Sequence, residues 1–321
     1  MIHSKKEYES VSHFLSSKKQ ILEDSDLIVF EELYTFPCAI LLYIITYGHK
    51  SLQIMHNVNK FLKRKISFNL KSIIAYLFFK IIKVKINGAI VISHSLKMYI
   101  LNNKLFNKNL YYIPFADTNL HYVPIKKVDD FIRFTIPGTV NTERRNYYIF
   151  LKVFLALLEE NPSQKVKLNL LGRIIKIGQE ELRLIEEINN IKADTVTFCK
   201  EFIDQKMYHE ELLRTNYLIG NINVNYTENM IKEVYGTSKE TGVLFLMLQY
   251  NLQTLFPKQY RYSKIYKNFI IRYEDKENDL YRVISKLITS SNNQIETLSI
   301  DVHSQLVKEE IKILHKDFLS A

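Results

Sequence analysis

The 321-residue sequence has no tryptophan, two cysteines, six prolines and eight glycines. Cys38 and Cys199 lie far apart and cannot form a disulfide framework, which points to a reducing cytosol. So few glycines and prolines, without periodicity, exclude collagen-like, linker-rich and repeat chains. Long hydrophobic runs are also missing. The longest, 36–47 (FPCAILLYIITY), holds Pro37 and Thr46 and is too short to span a bilayer; 73–79 is shorter still. Met1–Glu9 has the charge of a signal-peptide n-region, but no apolar h-region follows. A soluble protein is expected, one that at most touches a membrane. No histidine stands at metal-ligand spacing, and no G-x-x-x-x-G-K-[ST], G-x-S-x-G or clustered-cysteine motif is present. The residues that are there, 47% hydrophobic and 24% charged, have globular proportions, and the length suits two domains.

Acid is missing from one long stretch. Lys and Arg number 44 against 34 Asp and Glu, a net charge of +10, and between Glu32 and Asp117 no acidic residue occurs. Lys50, Lys60, Lys63, Arg64, Lys65, Lys71, Lys80, Lys83, Lys85, Lys97, Lys104 and Lys108 all fall in that gap. They alternate with Phe61, Phe68, Tyr76, Phe78 and Phe79, as interfacial segments do, which fits an anionic membrane surface. A plain solvated face is the other reading. Nucleic acid is disfavoured, because no helix-turn-helix, zinc-finger spacing or RNP-type aromatic motif accompanies the charge.

Short apolar segments recur with helical patterns between them. Strands are expected at 27–30, 52–55, 89–92 and 111–113, then at 131–136, 166–171, 195–198, 217–219, 253–256 and 269–271. Helices are expected near 36–47, 69–84, 95–102, 146–160, 177–190, 204–214, 239–250, 275–289 and 301–318. This alternation implies an α/β fold with parallel sheets covered on both faces. A boundary near 123–130 (VPIKKVDD) divides the chain into a domain at 1–128, joined by the last helix (301–321), and a second at 129–300.

Six of the eight glycines lie between Gly138 and Gly242. Gly138, Gly172 and Gly220 each follow an expected strand, at the sheet edge where ligands bind and where glycine lets backbone approach phosphate. In Ile136–Tyr148 (IPGTVNTERRNYY) a strand end, a polar loop and Arg144 and Arg145 at a helix start make a diphosphate cradle; Leu170-Leu-Gly-Arg173 repeats the pattern. In Lys232–Val243 (KEVYGTSKETGV), Thr237 with Glu240 fits a capping box opening a helix. Gly242 within its first turns suits the close approach of a ligand.

Taken together, these segments resemble the GT-B glycosyltransferases, specifically the large retaining group with a Glu, seven residues, Glu signature. The matching elements are Pro137-Gly138-x-Val140 with Arg144-Arg145, Leu170-Leu-Gly-Arg173, Glu233-Val-Tyr235-Gly236, and a small strand ending in Pro257. Tyr235–Gly242 resembles the bacterial surface-polysaccharide branch, and His56-Asn57-Val58 the family's histidine loop facing the donor sugar. The resemblance covers about 26–290. It implies two Rossmann-like domains facing a cleft; because the chain opens on a polar helical segment (Ser4–Glu23) instead of a strand, the N-terminal one is expected to be either a reduced form or one of which this sequence omits a part.

The resemblance further implies a metal-independent, retaining hexosyltransferase without a cofactor, its donor a UDP- or GDP-linked sugar. The acceptor would be a lipid-linked or polysaccharide glycan at the inner face of the cell membrane. Arg145 would neutralise the donor diphosphate, with Arg144 and Arg173 beside it. Gly138, Thr139, Tyr235, Gly236, Thr237, Lys239, Glu240, Thr241 and Gly242 would complete the donor site, and His56 and Glu233 would face the sugar. The sequence departs from the family pattern in three places. Thr241 stands where the second Glu usually meets the ribose, with Glu240 one residue off; Thr139 stands where an Arg often follows the glycine; and the opening strand is missing. The missing strand and the absent second Glu favour an alternative, a non-catalytic GT-B-like subunit or binding protein that partners another transferase. Asp24-Ser25-Asp26 spells the metal-binding D-x-D of the GT-A transferases, but it precedes its strand and reads as a helix stop.

Overall fold

The structure is a computed structural model that describes residues 27–31, 49–63, 70–114, 130–199, 201–228, 231–290 and 301–318. The expected helix at 36–47, Asp24-Ser25-Asp26, Cys38 and most of the 123–130 boundary lie outside them. The chain divides into two compact units. The first contains residues up to Pro114, Thr227–Glu233 and the chain from Leu306; the second contains Phe115–Tyr226 and Val234–Gln305.

The first unit runs β1 (Ile28–Phe30), β2 (Ser51–Met55), α1 (Val58–Leu62), α2 (Leu70–Lys85), β3 (Gly88–Val91), α3 (His94–Asn102) and β4 (Asn109–Tyr112). The strands pair in sequence order, all parallel, with Leu52 beside Gly88 and Gly88 beside Asn109. Their residues are almost wholly apolar because a parallel sheet is covered on both faces. Ser93 starts α3 by accepting from the Leu96 N–H at 3.2 Å.

The second unit runs β5 (Ile132–Pro137), β6 (Val140–Asn141), α4 (Tyr147–Glu160), β7 (Val166–Lys176), α5 (Gln179–Ile191), β8 (Val196–Cys199), α6 (Gln205–Leu213) and β9 (Tyr217–Ile219). A two-stranded ribbon follows, β10 (Asn225–Glu228) and β11 (Ile231–Val234), part of which groups with the first unit. Then come α7 (Gly242–Gln249), β12 (Gln253–Pro257), a 3-10 turn (Lys264–Phe269), β13 (Ile270–Tyr273) and α8 (Glu277–Ser290). The sheet order is β13-β12-β9-β5-β7-β6, with β8 also on β7, and its pairings are parallel.

Strand alternation sends side chains to two cores. Phe134, Ile136, Leu168 and Leu170 meet α4, α5 and α8 through Phe150, Phe154, Leu184 and Leu280. On the other face Leu171, Leu218 and Phe256 meet α6, α7 and the 3-10 turn through Leu212, Met247 and Tyr266. Phe134 lies edge-on to Phe154 and stacks on Tyr217, and truncating such a ring costs about 3–5 kcal/mol.

The final helix, α9 (Asp301–Phe318), contributes to the first unit. Phe318 and Leu314 cover Leu52, Ile90 and Tyr111. The Tyr111 hydroxyl donates to Asp317 at 2.6 Å, and burial together with this bond holds the phenol well above its ordinary pKa. Glu310 accepts from the Tyr112 N–H at 3.1 Å and pairs with Lys97. Among the described residues no helix is long and apolar enough to cross a membrane.

Two expectations change at the strand ends. β7 does not stop at Leu171 but runs eleven residues to Lys176, because β6 and β8 give it partners beyond that point. Gly172 is therefore inside a strand, where a Cβ would sit 2.3 Å from the Gly138 carbonyl oxygen. At Gly220 a Cβ would overlap the Phe256 ring at 2.1 Å. Both glycines serve packing within the protein.

Candidate functional site

The C-terminal ends of the second unit's parallel strands share one edge, where loops open toward a common space. The loop after β6 is tied to the loop after β9: Asn146 N–H donates to Asn221 Oδ1 at 3.1 Å, and Asn223 N–H donates to the Arg144 carbonyl at 3.3 Å. Between them lies a cavity of about 310 Å³ lined by Thr139, Asn141, Arg144, Arg145, Ile175, Ile222, Tyr235, Lys239, Glu240, Thr241 and Gly242. That volume is at the small end of ligand sites, roughly 300–1,000 Å³.

Three cations line it, each positioned differently. Arg145 donates from Nη1 to the Pro137 carbonyl at 2.6 Å. Gly138, at φ 89°, makes this possible: a Cβ there would crowd Arg145 Nη2 at 3.1 Å, and the left-handed backbone disfavours a side chain. Arg144 lies over the Tyr226 ring, 5.5 Å from its centroid, and Nη2 reaches the Tyr235 hydroxyl at 3.4 Å. Lys239 Nζ is 5.0 Å from the Tyr226 centroid and 5.5 Å from that of Tyr235. Aromatic faces attract a cation without cancelling its charge, and both rings hold their cations at the edge of the cavity. Burial pushes the Tyr235 phenol up, with Arg144 pulling it down. It remains a neutral donor near pH 7.

Tyr235–Gly242 is a compact knot. The N–H groups of Thr237, Ser238 and Lys239 all point to the Val234 carbonyl, and Ser238 Oγ accepts from the Val234 N–H. The expected capping box at Thr237 and Glu240 is not formed: Gly236 at φ 75° places Thr237 in this turn. Thr241 caps α7 instead, accepting from the Val243 N–H at 3.3 Å. Glu240 is buried, accepting from the Tyr260 hydroxyl at 2.6 Å and from the Thr241 N–H at 2.9 Å. Gly242 opens α7 at the cavity, and a Cβ there would meet nothing within 4 Å.

Of the expected donor-site residues, the cavity gathers Thr139, Arg144, Arg145, Tyr235, Lys239, Glu240, Thr241 and Gly242. Gly138, Gly236 and Thr237 shape its walls without lining it, and Arg173, exposed on the extended β7, does not line it. Asn141, Ile175 and Ile222 line it although the sequence reading does not mark them. Asn141 belongs to the same polar loop as Arg144, whereas Ile175 carries no signal, because the extension of β7 has none.

His56 and Glu233 belong to the first unit. His56 follows β2, with Nε2 at 3.0 Å from Glu31 Oε1 just beyond β1. Glu233 is buried and accepts from the Lys60 N–H at 2.7 Å, at the start of α1; beside it Asn59 Nδ2 donates to the Lys232 carbonyl at 2.9 Å. Tyr99 donates to Asn59 Oδ1 at 3.0 Å. Among the described residues no group of three or more His, Cys, Asp or Glu could hold a metal ion.

No protein-family model and no curated protein matches the sequence. Solved structures do match it. TarM aligns over 99% of this chain and 60% of its own at 16% identity and a TM-score of 0.56. The N-terminal domain of Candida albicans trehalose-6-phosphate phosphatase aligns over 97% and 73% at 13% identity, TM-score 0.57. The GtfA/B complex aligns over 96% of this chain and 60% of that one at 12% identity, TM-score 0.52. The chain thus spans 60% of the length of TarM and of the GtfA/B chain. At these identities the likeness establishes the fold: two Rossmann-like α/β units of GT-B type with parallel sheets.

Proposed function

We propose that the chain is a glycosyltransferase. It would move a sugar from a nucleoside-diphosphate donor, UDP- or GDP-linked, to a lipid-linked or polysaccharide acceptor in the assembly of a cell-surface glycan. The observation that carries this reading is the convergence of Arg144, Arg145 and Lys239 on one cavity with the start of α7 at its wall. A mutant form of S. aureus TarM aligns over 96% of this chain at 12% identity and a TM-score of 0.54. That protein was solved in complex with Fondaparinux, α-GlcNAc-glycerol and UDP, which supports a nucleotide and a glycan as ligands here.

In the reaction the bond between the anomeric carbon and the diphosphate oxygen breaks, and its electron pair leaves with the phosphate. An acceptor hydroxyl forms the new bond and passes its proton to the departing phosphate oxygen. Arg145, Arg144 and Lys239 would stabilise the departing charge, with the partial positive end of α7 beside them, so the reading needs no metal ion. His56 and Glu233 are proposed to face the sugar, with retention of configuration. The acceptor would be met at the inner face of the cell membrane, the enzyme remaining peripheral and cytoplasmic.

The Lys60 N–H held by Glu233 and the threonine at position 241 favour a second reading, a non-catalytic subunit of a transferase complex. Titration calorimetry with UDP and GDP separates the outcomes. Binding lost in Arg145→Ala supports the donor site, and no binding of either nucleotide overturns it. Turnover of a nucleotide-sugar by the purified chain rejects the subunit reading.

A further inference from the structure

Helix α2 carries two apolar faces on opposite sides. One is buried: Phe79 and Ile82 face inward, followed by Ile86, and Phe79 lies edge-on to Phe61. The other is exposed. Leu70, Ile73, Leu77, Ile81 and Val84 recur at helical spacing and all face solvent, Leu70 and Val84 at 72% and Leu77 at 54%. At about 100° per residue they share an arc about 80° wide. Lys80 borders that arc on one side and Lys85 on the other; Lys80 Nζ also lies 5.2 Å from the Tyr76 ring centroid.

We infer that α2 docks the first unit on an anionic lipid surface, with Leu70, Ile73, Leu77, Ile81 and Val84 entering the headgroup boundary and Lys80 and Lys85 reaching the phosphates. Charge selects this occupant. Every charged residue of α2 is a lysine, and no acid occurs in 33–116, so the apolar arc is flanked by positive charge that complements an anionic surface. A helical protein partner fits less well. A heptad register through Leu70, Ile73, Leu77 and Val84 puts Lys80 at a core position, and the flanks offer no charges of mixed sign. Nucleic acid would engage the lysines but leave the apolar arc in water. The helix is 16 residues long, about 24 Å at 1.5 Å per residue, short of the roughly 30 Å hydrocarbon core, so it lies in the interface plane.

The docking does not depend on the transferase reading, and its test is separate. The full chain is sedimented with phosphatidylcholine vesicles, with and without phosphatidylglycerol, and compared with the Leu77→Glu/Ile81→Glu double variant and with Lys80→Glu/Lys85→Glu. Wild type should bind the phosphatidylglycerol vesicles and not the neutral ones. Each variant should lose at least about tenfold in binding, with its melting temperature and its nucleotide titration unchanged. Equal binding by wild type and the leucine–isoleucine variant overturns the proposal, as does wild-type binding to neither vesicle. Conversion of a wild-type dimer to a monomer by that variant, with vesicle binding intact, assigns the arc to a second copy of the chain instead and also overturns it.

Discussion

Arg145 bends back over its own loop to the carbonyl of Pro137, 2.6 Å from Nη1, and is thereby fixed at the end of β5. One side of the guanidinium is committed to the backbone, the Tyr147 phenol lies beside it, and the residue lines the cavity. Replacing it by alanine should leave the fold intact and weaken UDP or GDP binding by about 1.5–3 kcal/mol, roughly 10- to 150-fold. Arg145→Lys should recover only part of this, because an ammonium cannot hold the carbonyl and a phosphate with the same planar fork. Calorimetry on the two variants measures both effects.

Glu240 depends on Tyr260. The phenol is fully buried and stacked on Phe256, 4.2 Å between centroids, and burial beside this carboxylate raises its pKa well above the ordinary value. Tyr260→Phe removes a donor from a buried acid and should destabilise the second unit by about 1–3 kcal/mol. Glu240→Gln keeps an acceptor for both Tyr260 and Thr241 and should cost less. Urea denaturation of the two variants gives the order.

Gly236 and Gly242, in the same segment, should respond oppositely to alanine. At Gly236 the backbone is left-handed and a Cβ would sit 1.9 Å from the Arg261 carbonyl oxygen, so Gly236→Ala should destabilise by about 2–4 kcal/mol. At Gly242 the space is open, and Gly242→Ala should stabilise α7 by about 0.5–1 kcal/mol. If the nucleotide occupies the cavity, the same methyl should weaken its binding. Thermal melts paired with UDP titration read both sides of the contrast.

His94 links stability to pH. Burial, and then the charge of Lys97, hold its pKa below the ordinary 6.5, against an upward pull from Glu310. The folded state therefore disfavours the proton more than the unfolded state does. Stability is fully present above the unfolded pKa of about 6.5 and falls as the pH drops below it. Between roughly pH 7.5 and 5.5 the unfolding midpoint should fall more in wild type than in His94→Gln. Equal slopes would assign the pH dependence elsewhere.

The strands are legible in the sequence because a parallel sheet covered on both faces needs short, nearly continuous apolar runs. The pairs 52–55 and Ser51–Met55, or 217–219 and Tyr217–Ile219, differ by a residue at most. The polar ribbon β10–β11 and the five-residue α1 are not, since neither has an apolar period to read. Helix α2 is recognisable, yet periodicity cannot say which of two opposed apolar faces the protein covers. At the site, the loop arginines and the Tyr235–Gly242 segment are legible as chemistry. The true cap is not: Thr237 and Thr241 are equally good cap residues, and the sign of φ at Gly236 decides between them. Arg173 reads as a strand-end residue because strand length depends on β6 and β8, partners that local sequence does not reveal.

Helix α9 imposes an order on synthesis. The four-stranded sheet is complete in sequence at Tyr112, but Leu52, Ile90 and Tyr111 gain Leu314 and Phe318 only after the whole second unit has been made. At about 5–20 residues per second the ribosome takes roughly 10–40 s over that interval. During it the nascent first unit exposes an apolar sheet face beside a stretch of chain rich in lysine. The second unit can fold on schedule, whereas the first is finished last although it is begun first.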